Sequence, residues 1–219
     1  GYQGVYGKDN FNELGIDWNL YYGAGFERNG AINFLQAGIS SADMVTTVSP
    51  TYAREIQTPE GGFGLDGLLR VRSDVVKGIV NGVDTEIWNP EKDPALPANF
   101  SSKDMSGKAE CKKALQQYFG LPEREDVPVI AMIGRLVSQK GIAEVIAPNY
   151  GCLWGICKSV DVQVVLLGSG ERWAEDEINS LQKKLPNFRA KIGYNEKLSH
   201  LIEAGADFFL MPSQYEPCG

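Results

Sequence analysis

Largely apolar runs alternate with amphipathic segments in the second half of the chain. Residues 127–134 and 162–170 are such runs, and each ends in glycine, as fully buried parallel strands often do. Helical periodicity follows at 172–186. The alternation then continues through a strand, a helix and a strand at 188–194, 196–206 and 207–213. This order predicts one half of a doubly wound parallel sheet with right-handed crossovers.

The first part of the chain, to about residue 75, has the pattern of loops and helices around one buried strand. Residues 44–49 form an apolar and β-branched run that predicts this strand, and Thr51 is placed to cap the helix that follows. A second strand is predicted at 75–84, where Asn81-Gly82 favours a turn.

A polar segment with three prolines, 89–107, is typical of an interdomain linker. We therefore predict a first domain at 1–90, a linker at 91–107 and a second domain at 108–219. Within the second domain, Pro148 and Gly151 interrupt the helix expected after the first strand. A doubly wound domain that stops after four strands lacks a covering helix, so we expect this domain to be truncated.

Composition narrows the possible partners. The formal net charge of −7 argues against the broad basic surface of a nucleic-acid-binding protein. No apolar run approaches the roughly 18 to 20 residues that span a bilayer, so we predict no membrane partner. The four cysteines show neither a C-x-x-C pair nor zinc spacing, which favours reduced thiols. No aspartate-rich metal site is visible, and we predict no metal.

Three loops should lie at the carboxyl edge of the predicted sheet, where doubly wound folds bind ligands: 134–141, 168–171 and 212–219. Arg135 and Lys140 in the first loop suit a diphosphate, although this segment taken alone slightly favours an exposed basic loop. Glu216 in the last loop is either a ligand-binding carboxylate or a solvated side chain. The only histidine, His200, has the pattern of a structural rather than a catalytic residue.

Four phrases of specific sequence occur in order along nearly the whole chain: AGISSADMVTTVSPTYAREI (37–56), GIVNGVDTEIWNP (78–90), IGRLVSQKG (133–141) and YEPCG (215–219). Through them the chain resembles the bacterial glycogen synthases and the plant or algal starch synthases, which are retaining glucosyltransferases. The resemblance implies an α/β fold of GT-B type, made of parts of two Rossmann-like doubly wound domains.

The implied reaction moves glucose from ADP-glucose to the non-reducing end of an α-1,4-glucan. By position, Arg135 and Lys140 would hold the diphosphate and stabilise charge on the departing ADP. Glu216 would approach the 3- and 4-hydroxyls of the glucose. ADP-glucose is a substrate in this scheme, and the resemblance implies no cofactor and no required metal.

The resemblance also implies roles for four further residues. Tyr194 would lie near the adenine, where an aromatic face can stack. Cys218 and Gly219 would line the glucose pocket, although Cys218 is also compatible with a buried or a redox role. Asn81, in the first domain, would face the glucose or the acceptor.

Several parts of the family pattern are absent from this sequence: a lysine- and glycine-rich phosphate loop, a His-Asn pair before residue 2, and a glycine-rich turn after residue 219. We therefore expect no transfer by this chain alone and, because sheet edges would be open, marginal stability. The alternatives are a related transferase that uses a UDP-sugar and a non-catalytic glucan- or nucleotide-binding remnant. The compartment would be the cytoplasm in a bacterium and the plastid stroma in a plant or alga, and the sequence does not give the oligomeric state.

Overall fold

The computed structural model describes residues 2–218 and divides the chain into two compact units. The first unit runs to Gly82 and includes Pro217 and Cys218, and the second is Val83–Glu216. The division falls before the predicted boundary at residue 90, because the segment predicted as a linker packs within the second unit. Its Ala98 carbonyl accepts a hydrogen bond from the Cys111 thiol at 3.3 Å, and its Asp93 is buried.

The first unit begins with a small antiparallel sheet that the sequence pattern did not predict. Its strands β1 (Val5–Gly7), β2 (Glu27–Arg28) and β3 (Ala31–Asn33) have the order β1-β3-β2. Strands of two or three residues are too short to show an alternating pattern. An aromatic cluster that includes Phe11 and Tyr21 packs on Ile32 of β3.

A two-stranded parallel sheet follows, formed by β4 (Val45–Thr47) and β5 (Val76–Gly78). Both predicted strands are confirmed, but β5 is shorter than the predicted 75–84. The helix after β4 is capped by Ser49 and not by Thr51, because Pro50 is its first residue. The Ser49 hydroxyl accepts a hydrogen bond from the Tyr52 amide at 2.9 Å. The helices of this unit are α1 (Asn19–Gly23), α2 (Phe34–Ser41), α3 (Pro50–Glu55), α4 (Pro59–Gly62) and α5 (Asp66–Val71).

The second unit is built on a four-stranded sheet whose strands are all parallel, with the order β8-β7-β6-β9. The alternation of strands and helices predicted for this part is confirmed. The strands are β6 (Val129–Ile133), β7 (Gln163–Gly168), β8 (Phe188–Ile192) and β9 (Phe208–Phe209). All six residues of β7 are buried, which explains the largely apolar run.

Helices cover both faces of this sheet: α6 (Ser106–Phe119), α7 (Ile142–Ile146), α8 (Cys152–Ser159), α9 (Arg172–Lys184) and α10 (Glu196–Gly205). Alternate residues of β7 contribute to different cores. Val164 and Leu166 join the core that contains residues of α7, α8 and α9. Val165 and Leu167 join the core with residues of α6 and α10. The arrangement is that of a doubly wound fold.

The predicted interruption after β6 is confirmed, since α7 ends at Ile146 and α8 begins at Cys152. A Cβ on Gly151 would lie 2.5 Å from the Ala147 amide nitrogen, so the turn between the helices requires glycine. All four cysteines are free thiols. Burial raises the pKa of Cys157 to about 11, so this thiol stays protonated at neutral pH. No helix within residues 2–218 is long and apolar enough to cross a membrane.

Candidate active site

The loop after β6 places Arg135 and Lys140 at the carboxyl edge of the sheet. Leu136 in this loop is buried and pairs with Gly170 in the loop after β7. The Leu136 amide donates to the Ser169 carbonyl, and the Leu136 carbonyl accepts from the Glu171 amide, both at 2.9 Å. The two loops are thereby joined beyond the ends of their strands. A short 3-10 helix, Ser138–Lys140, then leads into α7.

Lys140 and Glu216, which are separated by 76 residues in the sequence, form an ion pair at this edge. The Lys140 Nζ lies 2.5 Å from Glu216 Oε1, and the Ser213 hydroxyl donates to the same oxygen at 2.6 Å. The side chains of Lys140 and Glu216 are 27% and 21% exposed. The hydrogen bond from Lys140, followed by that from Ser213, lowers the pKa of Glu216 below its usual value, so the carboxylate is charged at neutral pH.

Hydrogen bonds of the Gln139 backbone and side chain hold the loop after β9 against the loop after β6. The Gln214 amide donates to the Gln139 carbonyl at 3.0 Å. The Gln139 side chain donates to the Tyr215 carbonyl at 3.4 Å and accepts from the Arg135 guanidinium at 3.3 Å. One residue therefore contacts both the arginine of the first loop and the backbone next to Glu216. Neither Gln139 nor Ser213 was predicted, because their roles depend on contacts between distant loops.

Gly141 permits this close approach. Its φ is +69°, and a Cβ at this position would lie 2.1 Å from the Pro212 carbonyl oxygen. The conformation favours glycine and the neighbour is backbone, which has little freedom to move. The separation between the Lys140 loop and the Glu216 loop is therefore set by the absence of a side chain at residue 141.

Substitution of Gly141 by alanine is expected to lower the free energy of unfolding by about 1–3 kcal/mol, because it adds backbone strain and a steric clash. Urea unfolding monitored by circular dichroism measures the change. The matched control is Gly155→Ala in α8, where a Cβ would meet no atom within 4 Å. The control should stabilise the chain by about 0.5–1 kcal/mol, since alanine favours the helix. Equal effects of the two substitutions would contradict this account.

Arg135 and Tyr194 lie at the same edge of the sheet but do not join the ion pair directly. Arg135 is exposed, and its guanidinium contacts Gln139. Tyr194 follows β8, the residue is 86% exposed, and its hydroxyl lies 3.5 Å from a Glu196 carboxylate oxygen. The structure thus brings Lys140 and Glu216 together, places Arg135 beside them through Gln139, and leaves the ring of Tyr194 open to solvent.

The other predicted site residues belong to the first unit or lie outside the described residues. Asn81 is exposed, and Cys218 is half-buried; both lie in the first unit. Gly219 falls outside residues 2–218. The roles implied for these three residues stay predictions.

In the glycine turn after β7, acidic side chains of the same segment already accept hydrogen bonds. The Gly170 amide donates to the Glu175 carboxylate at 2.9 Å, and the Trp173 indole donates to Glu171 at 2.5 Å. Two carboxylates at the start of α9 oppose an incoming anion. Of the three loops predicted at this edge, the cationic one after β6 is therefore the better candidate for phosphate.

His200 lies in the interior of the second unit, in agreement with the prediction that it is a structural rather than a catalytic residue. Its Nδ1 is 2.5 Å from the Asp93 carboxylate, and both side chains are 7% exposed. The ring of Trp88 stacks on the imidazole at 3.9 Å with an angle of 11° between the planes. These contacts fasten the segment after residue 83 to α10.

A cleft of about 450 Å³ opens at the opposite edge of the sheet, beside α6 and Asp207. Its cations already have partners: Lys108 donates to two backbone carbonyls, and Lys112 lies 2.9 Å from Asp207. Within residues 2–218, no group of three or more His, Cys, Asp or Glu side chains is arranged to hold a metal ion. The loops after β6 and β9 thus remain the candidate site.

Comparison with known proteins shows which proteins this chain resembles. Residues 1–71 match the family model "Starch synthase catalytic domain". The glycogen synthases of Treponema denticola and of an Anaeromyxobacter species are 57% and 50% identical to this chain over 219 residues. The catalytic domain of starch synthase IV from Arabidopsis thaliana, solved with ADP and acarbose, is 36% identical and superposes with a TM-score of 0.89.

The chain is similar over its whole length to glycogen and starch synthases. The matches cover the whole of this chain but only 45% of each of those two curated relatives and 45% of the solved starch synthase chain. The α/β fold of GT-B type is confirmed, as is the resemblance to the glycogen and starch synthases. In this chain, the second unit carries the contact between Lys140 and Glu216.

Proposed function

We propose that this chain forms part of a retaining glucosyltransferase that moves glucose from ADP-glucose to the non-reducing end of an α-1,4-glucan. The observation that carries the proposal is the cluster of Lys140, Glu216 and Ser213 at the carboxyl edge of the sheet, with Arg135 beside it. This edge is where doubly wound sheets bind nucleotides. The solved starch synthase of the same fold is bound to ADP and acarbose, which supports the assignment of ligand classes.

In this proposal, the side chains of Arg135 and Lys140 bind the leaving group, ADP. Negative charge develops on the ADP as the glycosidic bond to the diphosphate breaks, and cations fixed in advance stabilise such charge. Arg135 offers a planar fork for phosphate oxygens, and Lys140 offers a compact charge. Because these side chains neutralise the departing ADP, the proposal calls for no metal ion and no cofactor.

Glu216 is proposed to bind the glucose. Its carboxylate is ionised, so it accepts hydrogen bonds from glucose hydroxyls and does not donate a proton. The exposed ring of Tyr194 offers a stacking surface for the adenine. Asn81 is proposed to contact the glucose or the acceptor, and Cys218 and Gly219 the glucose.

The test is a chimera in which this chain replaces the matching 45% of the Treponema denticola glycogen synthase. We expect it to incorporate labelled glucose from ADP-glucose into glycogen with retained configuration, and to use UDP-glucose more slowly by about tenfold or more. Faster transfer from UDP-glucose would favour the UDP-sugar alternative. A chimera that melts cooperatively and binds ADP but transfers no glucose would instead favour the non-catalytic remnant.

A further inference from the structure

The two carboxylate oxygens of Glu216 have different surroundings. Oε1 receives hydrogen bonds from both the Lys140 ammonium and the Ser213 hydroxyl. Among residues 2–218, no hydrogen bond to Oε2 accompanies them. Two donors on one oxygen fix the rotation of the carboxylate and leave the other oxygen free to accept a ligand hydroxyl.

We propose that Ser213 is a positioning residue that holds Glu216 in the orientation needed for glucose transfer, a role that rests on the proposed function. Ser213 acts through Glu216 and is not itself expected to touch the reacting atoms. The position of Ser213 is fixed by contacts of its two neighbours. The Gln214 amide donates a hydrogen bond to the Gln139 carbonyl, and the Pro212 carbonyl lies against Gly141.

Lys140 cannot perform this task alone throughout the reaction. The same ammonium is assigned to the diphosphate of the donor, so its contact with Glu216 weakens when phosphate oxygens compete for it. The Ser213 hydroxyl is neutral and has one proton, which goes to Oε1. It therefore keeps Glu216 in place while Lys140 engages the leaving group.

The first test titrates the Glu216 carboxylate in this chain by ¹³C NMR, with its signal assigned by Glu216→Gln. Loss of a donor to the charged form raises a carboxyl pKa. We expect Ser213→Ala to raise the pKa of Glu216 from its depressed value, while Ser213→Thr, which keeps the hydroxyl, does not. The matched control is Ser159→Ala at the exposed end of α8. An unchanged pKa in Ser213→Ala would overturn the proposed contact.

The second test measures the same variants in the chimera with ADP-glucose and glycogen. We expect Ser213→Ala to lower kcat by about tenfold, the effect of one hydrogen bond, with KM for ADP-glucose within about twofold. Ser213→Thr should restore kcat, and Ser159→Ala should not change it. A kcat of Ser213→Ala equal to that of the control, or a rise in KM alone, would overturn the positioning role.

Failure of the inference is distinguishable from failure of the proposed function. If the unsubstituted chimera transfers no glucose, the proposed function is wrong, and the positioning role falls with it even where the titration confirms the contact. If the chimera is active and Ser213→Ala is as fast as the control, the function stands and only the role of Ser213 is wrong.

Discussion

Replacing Lys140 by methionine is expected to lower kcat for glucose transfer by about 100- to 1,000-fold in the chimera, the usual cost of removing one fixed group that stabilises transition-state charge. Methionine keeps the length and apolar stem of lysine but has no charge and no donor. The departing ADP then loses a cation, and Glu216 Oε1 keeps only the Ser213 hydroxyl. Initial rates with ADP-glucose and glycogen measure the change.

The control for this substitution is Lys183→Met on the exposed face of α9. It removes the same charge from the same unit at a position away from the carboxyl edge. We expect its kcat to stay within about twofold of the unsubstituted chimera, as exposed substitutions usually have small effects. A Lys140→Met chimera that retained more than about a tenth of the activity would contradict the role of Lys140 at the leaving group.

Replacing His200 by alanine is expected to lower the free energy of unfolding of this chain by about 3–5 kcal/mol, because the buried Asp93 carboxylate would lose its ion-pair partner and, among residues 2–218, keep only the hydrogen bond from the Ala95 amide. The substitution also removes the ring that stacks on Trp88. The segment that follows residue 83 would then lose both of these contacts with α10. Urea unfolding followed by circular dichroism at neutral pH measures the effect.

The double substitution Asp93→Leu with His200→Leu separates burial of a charge from loss of packing. With both groups apolar, no unpaired charge remains, and such replacements are often neutral or stabilising. We therefore expect the double variant to unfold at a higher urea concentration than His200→Ala. If His200→Ala cost less than about 1 kcal/mol, the pair would not be a main attachment of the segment.

The sequence pattern was most informative where strands are buried on both faces. Apart from Gln163, the residues of β7 are apolar on both faces of the sheet, so the run at 162–170 identified the strand directly. The strands β1 to β3 have two or three residues, and their stability comes from the aromatic cluster rather than from a local pattern. The segment 91–107 has the composition of a linker, but Asp93 is buried against His200, a contact that composition does not reveal.

The candidate site was predictable in its loops and only partly in its contacts. Strand ends located the three loops, and the resemblance supplied roles for Lys140 and Glu216. Their contact depends on β9 lying next to β6, although β7 and β8 come between them in the chain. The pattern of apolar and polar residues locates the strands but does not give their order in the sheet. Ser213 and Gln139 were missed for this reason.

The strand order β8-β7-β6-β9 also has a consequence for the time course of folding. The strands β6, β7 and β8 can pair as soon as residues 129–192 are available, whereas β9 reaches its partner only across a long stretch of chain. The Val129 amide, for example, donates a hydrogen bond to the carboxylate of Asp207, which lies 78 residues later in the chain. Contacts of such separation slow folding. We expect this edge of β6 to stay unpaired on a nascent chain until β9 emerges, and during that interval the edge is open to association with other chains.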